Sequence, residues 1–314
     1  MTETTIGIDI SKDRIDVHRL PGGESRQFAN DKTGLKAFLR WLNPGDEPPA
    51  RIVFEATGAY HRALERRLAE AGLPVVKVNP RNARRFAEAT GRLAKTDRID
   101  AALLAKMGAV LALEARAVPS QTLSDLKQMI VARQALIKDR TAARNRAKMM
   151  TIAILKRQNA ERLKQIERQL AALDAEIEAQ IAAEADLAER YAILRSIPGI
   201  ANVTAAFLVA EMDELGTLDH PQAASLAGVA PQTRQSGKWR GRSFVQGGRS
   251  NVRHALYMPA LVAIRFNEDL KTKYDQLVAA GKPKKVAITA IMRKLVVLAN
   301  ALLKKKRKWT PKLA

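Results

Sequence analysis

The chain has 314 residues, enough for about two domains of ordinary size, and its lack of cysteine excludes disulfides, thiolate metal sites and thiol catalysis. It carries 54 lysine and arginine residues against 32 acids, a net charge of +22. From Arg234 to Ala314 the count is 20 basic residues against three acids. This excess favours a nucleic-acid partner, with a solvated basic face or a membrane surface as the alternatives.

Signals for transport or membrane insertion are not expected in this chain. The first ten residues show a strand-like pattern without a basic segment and an apolar segment of the signal-peptide kind. No apolar run reaches the roughly 18 residues of a membrane-spanning helix. We therefore expect a cytoplasmic protein, which the absence of cysteine also favours.

The first third alternates strand and helix patterns. Strands are predicted at Thr4–Asp9, Ile15–Leu20, Ser25–Asn30, Arg51–Glu55 and Pro74–Asn79, and helices at Asp31–Leu42, His61–Ala71 and Asp97–Leu113. Three strands in succession, followed by strands that alternate with helices, predict a mixed sheet with helices packed on it. We expect an α/β domain over residues 1–118.

The middle of the chain, residues 119–192, is predicted to form long helices, because neither glycine nor proline occurs between Pro119 and Pro198. Apolar residues spaced by 3, 4, 3 and 4 form a coiled-coil seam: Leu163, Ile166, Leu170, Leu173 and Ile177. We expect the seam to pair copies of the chain, with a helical hairpin within one chain as the alternative. The basic stretch Arg133–Lys156 either follows a phosphate backbone or is a solvated face.

The last part, residues 193–314, is predicted to be mainly helical, with helices at Val252–Phe266 and Lys285–Lys305. The sequence Ile197-Pro198-Gly199-Ile200 resembles a helix-hairpin-helix turn, which contacts phosphates through backbone amides. Ala201 replaces the second glycine of that motif, and a plain helical turn fits equally well.

Four acids form the strongest candidate for chemistry. Asp9 and Glu55 each end an apolar strand, while Asp97 and Asp100 are three residues apart and share a helix face. Close carboxylates repel one another unless a cation offsets the charge, and Mg2+ (or Mn2+) prefers such oxygen ligands. Asp97 is also well placed to cap its helix. The nearby Asp13 and Asp16 are interpreted as turn and surface residues.

A second candidate is Ser236, in a loop from Pro231 to Ser250 that is rich in glycine, arginine and serine. A serine surrounded by cations can attack a phosphodiester if it is activated. No histidine base is evident by spacing, since His254 lies 18 residues further on. Taken alone, a loop serine is more often part of a turn.

These motifs, in this order, resemble the transposases of the insertion-sequence-110 family, which includes the Piv-type invertases. The resemblance covers nearly the whole chain. It is carried by Gly7-Ile8-Asp9, Glu55-Ala56-Thr57-Gly58, Lys95-Thr96-Asp97-Arg98-Ile99-Asp100-Ala101, Ile197-Pro198-Gly199-Ile200, Leu226-Ala227-Gly228, Ser236-Gly237 and Arg253-His254-Ala255-Leu256-Tyr257-Met258.

The resemblance implies an RNase H-like, RuvC-type domain whose metal site is formed by Asp9, Glu55, Asp97 and Asp100. It implies that Ser236 is a nucleophile that forms a covalent phosphoserine link to DNA. It further implies a structured noncoding guide RNA that pairs with donor and target DNA, as in other RNA-guided systems. Finally, it implies an assembly of several copies, a dimer and then a tetramer on DNA, in which Ser236 of one copy completes the metal site of another.

The predicted function is therefore a DNA transposase or recombinase that cleaves and rejoins strands. A metal-dependent hydrolytic nuclease and a non-catalytic nucleic-acid scaffold remain the alternatives. Basic residues near the two candidate sites are expected to contact nucleic acid: Lys95, Arg234, Lys238, Arg240, Arg242 and Arg253.

Overall fold

The computed structural model describes residues 3–42, 49–56, 58, 60–91, 97–237, 239–241 and 243–311, without the side chains of 97–99, 239 and 240. The chain forms two compact units, Met1–Pro119 and Ser120–Ala314. The predicted long-helix region lies in the second unit, together with the predicted C-terminal domain.

The first unit contains five strands and four helices among its described residues. The strands are β1 (Thr5–Ile10), β2 (Arg14–Leu20), β3 (Ser25–Ala29), β4 (Arg51–Glu55) and β5 (Val75–Val78), and the helices are α1 (Lys32–Leu42), α2 (His61–Glu70), α3 (Pro80–Ala89) and α4 (Asp97–Val110). The strands form one sheet in the order β3-β2-β1-β4-β5. The first three strands are antiparallel, and β1, β4 and β5 are parallel. The predicted mixed α/β sheet of the RNase H-like kind is confirmed.

The two faces of this sheet are covered by different helices. Ile6 and Ile8 of β1 point to one face, where they join the core formed with Phe38 of α1 and Leu64 of α2. On the other face, Val53 of β4 packs with residues of α3 and α4. Alternate residues of each strand point to opposite faces, so β1 and β4 are buried on both sides, which explains their nearly continuous apolar sequence.

Helix α3 was not predicted, although its start carries two recognisable signals. The Asn79 side chain accepts a hydrogen bond from the Arg81 amide at 2.9 Å, and Pro80 occupies the first helical position. Proline is favoured there because its missing N–H has no partner within the helix. The pair Asn79-Pro80 is therefore a helix start rather than the end of a strand.

The second unit is mainly helical, as predicted. Its helices are α5 (Gln121–Ala147), α6 (Ala153–Ala183), α7 (Ala185–Arg195), α8 (Asn202–Glu211), α9 (His220–Leu226), α10 (Ser250–Ala255), α11 (Tyr257–Phe266), α12 (Glu268–Ala279) and α13 (Lys284–Lys304). The described residues between α9 and α10 include four short strands: β6 (Pro231–Gln232), β7 (Gln235–Ser236), β8 (Trp239–Arg240) and β9 (Phe244–Val245).

Helices α5 and α6 form a long hairpin within one chain. The seam residues Ile166, Leu170 and Ile177 are buried, and α6 packs along α5. The buried Asn159 amide donates a hydrogen bond to the carbonyl of Ala143, at 3.1 Å, near the turn of the hairpin. The hairpin alternative therefore accounts for the seam without a second copy.

The predicted helix over Val252–Phe266 is two helices, α10 and α11, that meet at Leu256. Pro259 lacks the N–H that would bond to the carbonyl of Ala255, so the ladder of hydrogen bonds is interrupted at this point. Helix α12 was also not predicted, although Asn267 caps it and Glu268 and Asp269 lie in its first turn.

Helix α13 is the one helix in the described part of the chain with the length and hydropathy to cross a membrane. Its buried residues, among them Ile291, Leu295 and Leu302, belong to the core of the second unit. The apolar character of α13 follows from this central position.

The predicted hairpin Ile197-Pro198-Gly199-Ile200 connects α7 and α8. Gly199 has a φ of +104°, and a Cβ atom there would lie 2.6 Å from the carbonyl oxygen of Pro259. Glycine is required because the turn packs directly against α11. A packing role thus explains this glycine without contact to a phosphate backbone.

Candidate active site

The register of the two central parallel strands brings two of the candidate acids together. Ile8 of β1 pairs with Phe54 of β4, so the next residues, Asp9 and Glu55, are neighbours along the two strands. Both lie on the face opposite Ile8 and Phe54, because side chains alternate between faces. Both are half-buried.

Helix α4 crosses the same face of the sheet and fixes the position of the other two acids. A Cβ atom on Gly7 would overlap the carbonyl oxygen of Ala101, so β1 and α4 are in direct backbone contact. At the other end of the helix, a Cβ on Gly108 would lie 2.5 Å from Cγ2 of Val53 and 3.0 Å from Cγ2 of Thr5.

The two glycine contacts define the direction of α4. Gly108 lies over the first residue of β1 and Ala101 over Gly7, so the helix runs antiparallel to the strand. The first turn of α4, which contains Asp97 and Asp100, therefore lies toward the end of β1 that carries Asp9. All four predicted acids belong to backbone segments that meet at this end of the sheet.

The donor set is suited to a hard divalent cation, because Mg2+ prefers carboxylate oxygens. Asp9, Glu55 and Asp100 each make a polar interaction within the protein. Among the described side chains, no three acids or histidines are close enough to hold a metal ion, and the Asp97 side chain lies outside the description. The four-acid metal site thus stays a prediction that the backbone arrangement and the chemistry of the donors support.

Asp16 occupies a different position from the one predicted. It lies within β2, directly opposite Asp9 in the antiparallel ladder, and its side chain is 15% exposed. The carboxylate accepts a hydrogen bond from the Gln27 amide at 3.0 Å and lies 3.5 Å from Nε of Arg14. The interpretation of Asp16 as a surface residue was wrong, because α4 packs on this face of β2. Asp13 is in the exposed turn, as expected.

Ser236 lies at the turn of a small β-hairpin. Gln235 pairs with Arg240 and Ser236 with Trp239, so the chain reverses directly after Ser236, and Gly237 begins the turn. Gly237 has a φ of +55°, the left-handed conformation that such turns require. Ser236 is exposed.

A second pair of strands frames the serine hairpin. Strands β6 and β9 are antiparallel, with Pro231 opposite Val245 and Gln232 opposite Phe244. The guanidinium of Arg234 lies 4.7 Å from the centre of the Phe244 ring. The loop that composition alone described as glycine-rich is therefore two nested hairpins with Ser236 near the apex.

The neck of the loop is closed by two glycines and one arginine. A Cβ on Gly248 would overlap the amide nitrogen of Gly228, so the two chain segments touch through their backbones. Nη1 of Arg253 donates hydrogen bonds to the carbonyls of Gly228, at 3.0 Å, and Gly247, at 3.1 Å. Arg253, a predicted nucleic-acid contact, thus holds together the two segments from which the serine hairpin extends.

Arg249 anchors the same neck to the helical core. Its guanidinium donates to both carboxylate oxygens of Glu214, at 2.8 and 2.6 Å, and to the carbonyl of Glu211. Burial raises the pKa of the Glu214 carboxyl, but the hydrogen bonds and charge of Arg249 outweigh it and lower that pKa to about 2. The pair is therefore ionised at neutral pH.

Comparison with known proteins identifies the family. Residues 6–157 match a family profile of DEDD transposases of the IS110 type, described as Transposase, and residues 191–275 match one described as Transposase IS116/IS110/IS902 family. The chain belongs to the IS110 family of transposases. The predicted resemblance is thereby confirmed, and the protein is a DNA recombinase enzyme.

Relatives of this transposase include DNA-inverting proteins. The pilin gene-inverting proteins of Moraxella bovis and Moraxella lacunata are each 29% identical over 323 residues, covering 98% of this chain and 98% of each relative. An uncharacterized 43.6 kDa protein of insertion element IS110 from Streptomyces coelicolor is 31% identical over 132 residues, covering 41% of this chain and 32% of that protein.

The structure describes only some of the other basic residues that were predicted to contact nucleic acid. Lys95, Lys238 and Arg242 lie outside the described residues, and Arg240 is in β8 without a described side chain. Arg234 is exposed. Their role in nucleic-acid binding stays a prediction.

Sequence reasoning missed Arg249 and Glu214, because 35 residues separate them. The local signal was the doublet Gly247-Gly248 directly before Arg249, which indicated a tight backbone crossing. That doublet was interpreted only as loop composition.

Proposed function

We propose that this transposase breaks and rejoins DNA strands through a covalent link between Ser236 and a DNA phosphate. The observation that carries the proposal is the placement of Ser236, which is exposed beside the turn at Gly237 and supported by a neck that two arginines hold. An exposed hydroxyl near the apex of a hairpin is accessible to a phosphate. A rigid neck limits the loss of conformational entropy when the hydroxyl is positioned.

In the proposed step, Oγ of Ser236 attacks the phosphorus and the bond from phosphorus to one deoxyribose oxygen breaks. The serine proton passes to solvent, and the departing oxygen takes up a proton to become a free hydroxyl. The phosphodiester becomes a phosphoserine diester, so its bond energy is retained. A hydroxyl of a different strand then attacks the phosphoserine and releases Ser236, which rejoins DNA without ATP.

Serine is a poor nucleophile at its ordinary pKa and requires nearby positive charge or a base. Arg234 lies two residues before Ser236, and Lys238 and Arg240 follow it closely. These cations attract the phosphate and stabilise the negative charge that develops on it in the transition state.

Asp9, Glu55, Asp97 and Asp100 are the residues that would hold Mg2+ or Mn2+. A divalent cation at such a site neutralises and orients a phosphate that is to be cut. The fold contributes to this site through the close backbone contact of Gly7 with α4. This contact holds the strand ends that carry Asp9 and Glu55 near the first turn of α4.

The names of the Moraxella relatives describe inversion of a pilin gene. Inversion requires that strands be cut and rejoined, and we propose the same chemistry for this chain. We also propose that a noncoding guide RNA selects the DNA sequences. The strong positive charge supports an RNA partner. Sequencing of RNA that copurifies with the protein tests this point, and the absence of a discrete RNA species would contradict it.

The phosphoserine is tested by incubation of the protein with Mg2+, labelled DNA of its own element and copurified RNA, followed by denaturation. We expect label to remain attached to the wild-type protein and to disappear with Ser236→Ala. Ser243→Ala, an exposed serine of the same loop, is the matched control and should retain the adduct. Cutting by Ser236→Ala without any adduct would instead establish a hydrolytic nuclease.

A further inference from the structure

Asn30 is held in place by the structure on both sides of it. Its backbone N–H donates a hydrogen bond to the carbonyl of Asp13 at 3.0 Å and so continues the ladder between β2 and β3. The next residue, Asp31, accepts a hydrogen bond from the amide of Gly34 at 2.8 Å in the first turn of α1. A Cβ atom on Gly34 would lie 2.1 Å from the carbonyl oxygen of Ala29, so α1 starts directly against the end of β3. The position of the Asn30 backbone is therefore tightly constrained.

The side chain of Asn30 connects two loops that are far apart in the sequence. Its nitrogen Nδ2 donates a hydrogen bond to the carbonyl of Ser11 at 2.8 Å and another to the carbonyl of Tyr60 at 3.3 Å. Ser11 lies in the turn after β1, and Tyr60 lies between β4 and α2. One amide group, on a third segment of the chain, thus joins the loops that follow the two central parallel strands.

Each of these loops follows one of the predicted metal ligands. Asp9 lies two residues before Ser11, and Glu55 lies five residues before Tyr60. A displacement of either loop therefore shifts the end of a strand that carries an acid. The separation of the two loops thus bears on the separation of the two carboxylates.

The direct pairing of β1 with β4 ends just before the acids. The register between the two strands stops at the pair of Ile8 and Phe54, one residue before Asp9 and Glu55. From there on, β1 is paired with β2, and β4 is paired with β5. Asn30 supplies a connection between the two chain segments beyond this point, so it closes the frame around the two acids on the side of the loops.

Both loops are stiff enough to transmit this contact to the strand ends. Oγ of Ser11 donates a hydrogen bond to the carbonyl of Arg14 at 2.8 Å, and the amide of Ser11 donates to the same carbonyl at 2.9 Å. On the other side, Tyr60 directly precedes His61, whose ring centre lies 5.9 Å from that of Phe54 in β4. The hydrogen bonds of Nδ2 therefore act on segments that are fixed to β1 and β4.

The chemistry of these contacts establishes which half of the Asn30 amide faces the loops. Carbonyl oxygens only accept hydrogen bonds, so the group directed at Ser11 and Tyr60 must be the NH2 group. The other atom, Oδ1, is buried and accepts no hydrogen bond within the described part of the chain. A buried acceptor without a partner costs stability. An apolar side chain would avoid that cost, but it could not donate the two hydrogen bonds that join the loops.

We propose that Asn30 is a positioning residue of this transposase, whose amide clamps the loops after β1 and β4 and so sets the separation of Asp9 and Glu55 for a divalent cation. Asn30 itself is not a metal ligand in this proposal. Residues that orient metal ligands from outside the ligand set commonly change metal affinity or activity by about 10- to 100-fold. The inference rests on the proposed four-acid site and deepens it.

Binding of Mn2+ to the full-length protein, followed by electron paramagnetic resonance, tests the clamp without reliance on DNA cleavage. Asn30→Ala removes both donated hydrogen bonds, and we expect the dissociation constant for Mn2+ to rise about tenfold or more. Asn145→Ala, at an exposed asparagine of α5, is the matched control and should bind Mn2+ as the wild type does. Circular dichroism establishes that each variant is folded at the assay temperature.

A second control separates positioning from a general loss of stability. Ile52→Val removes a buried methylene group at the opposite end of β4 from Glu55 and destabilises the same unit. It should leave the affinity for Mn2+ unchanged. If Asn30→Ala binds Mn2+ as tightly as the wild type, or if Ile52→Val weakens binding as much as Asn30→Ala does, the proposal is wrong.

Asn30→Asp separates the clamp from a simple effect of charge. It keeps the shape of the side chain but, at pH 8, it presents a carboxylate to the two carbonyls, so both hydrogen bonds are replaced by repulsive contacts. A nearby negative charge would by itself attract Mn2+, whereas separated loops weaken its binding. We expect Asn30→Asp to bind Mn2+ at least as weakly as Asn30→Ala does. Binding as tight as that of the wild type, or tighter, would overturn the proposal.

Glu55→Gln in the same titration distinguishes failure of the clamp from failure of the metal site. If Glu55→Gln weakens Mn2+ binding while both Asn30 variants match the wild type, the acids bind metal and the clamp is wrong. If Glu55→Gln itself binds Mn2+ as the wild type does, the four-acid site is wrong, and the clamp is overturned with it. Weakened binding in Glu55→Gln and in both Asn30 variants is the result that the proposal predicts.

Discussion

Gly7 of β1 and Ala101 of α4 are in backbone contact, and a single added Cβ at Gly7 would overlap the Ala101 carbonyl. This contact sets the distance between the strand that ends near Asp9 and the helix that begins at Asp97. The arrangement of the acidic end of the sheet thus depends on a residue with no functional group.

Gly7→Ala should destabilise the first unit, because the added carbon meets backbone atoms that cannot move aside. Overpacking of a core commonly costs about 1–3 kcal/mol, and we expect the upper part of that range. Chemical denaturation measures the change in free energy of unfolding. Ala109→Ser, at an exposed position of α4, is the control and should change stability little.

Glu55→Gln should abolish DNA cleavage with little effect on folding, since the substitution preserves shape but removes a negative ligand. We expect a loss of about a hundredfold or more in the cleavage rate. Asp13→Asn, in the exposed turn after β1, serves as the matched control. Cleavage by Glu55→Gln at the wild-type rate, measured on labelled DNA with Mg2+, would argue against the four-acid site.

The sequence predicted the first unit well because its strands have strong local signals. Arg51–Glu55 was predicted with its observed bounds, and the acids at strand ends could be assigned to one edge of the sheet from topology alone. The burial of Asp16 could not be predicted, because it depends on the packing of α4 against one face of β2. A strand pattern does not show which face of a sheet a helix covers.

Lowering the pH should weaken the anchor of the serine loop through Glu214. Its pKa in the folded protein, about 2, is below the ordinary 4.5, so its contribution is complete above about pH 5 and is lost as the pH falls toward 2. Because the pair is partly exposed, we expect it to contribute on the order of 1–3 kcal/mol to the free energy of unfolding. The Glu214→Gln variant should unfold at a lower denaturant concentration than the wild type at pH 7. Its free energy of unfolding should also change less between pH 5 and pH 3 than that of the wild type. If that variant kept the wild-type pH dependence, Glu214 would not be the group responsible for it.

Arg253→Gln should separate DNA binding from catalysis. The arginine bridges two carbonyls at the neck of the loop, so its loss should lower phosphoserine formation about tenfold or more while DNA affinity changes little. Arg265→Gln removes the same charge from an exposed position of α11. If Arg253→Gln weakens DNA binding much more than Arg265→Gln does and adduct formation in proportion, Arg253 is a nucleic-acid contact, as the sequence alone had predicted.

The serine hairpin illustrates what the sequence could not provide. Ser236-Gly237 was identified by resemblance, whereas its support comes from Arg249 and Arg253, which reach carbonyls and a carboxylate far away in the chain. Contacts of this kind depend on tertiary packing and leave no periodic pattern. The glycines at 228 and 248 were visible, but only the structure shows that they touch.

The most direct test of the central claim is to locate the DNA on the protein. The protein is first allowed to react with DNA and Mg2+, and the bound DNA is then digested with a nuclease. Cleavage of the chain after Arg234 and Lys238 would leave a four-residue peptide, Gln235 to Lys238. Mass spectrometry should find a nucleotide attached to this peptide at Ser236. A nucleotide on any other peptide, or cut DNA with no modified peptide, would contradict the proposed mechanism.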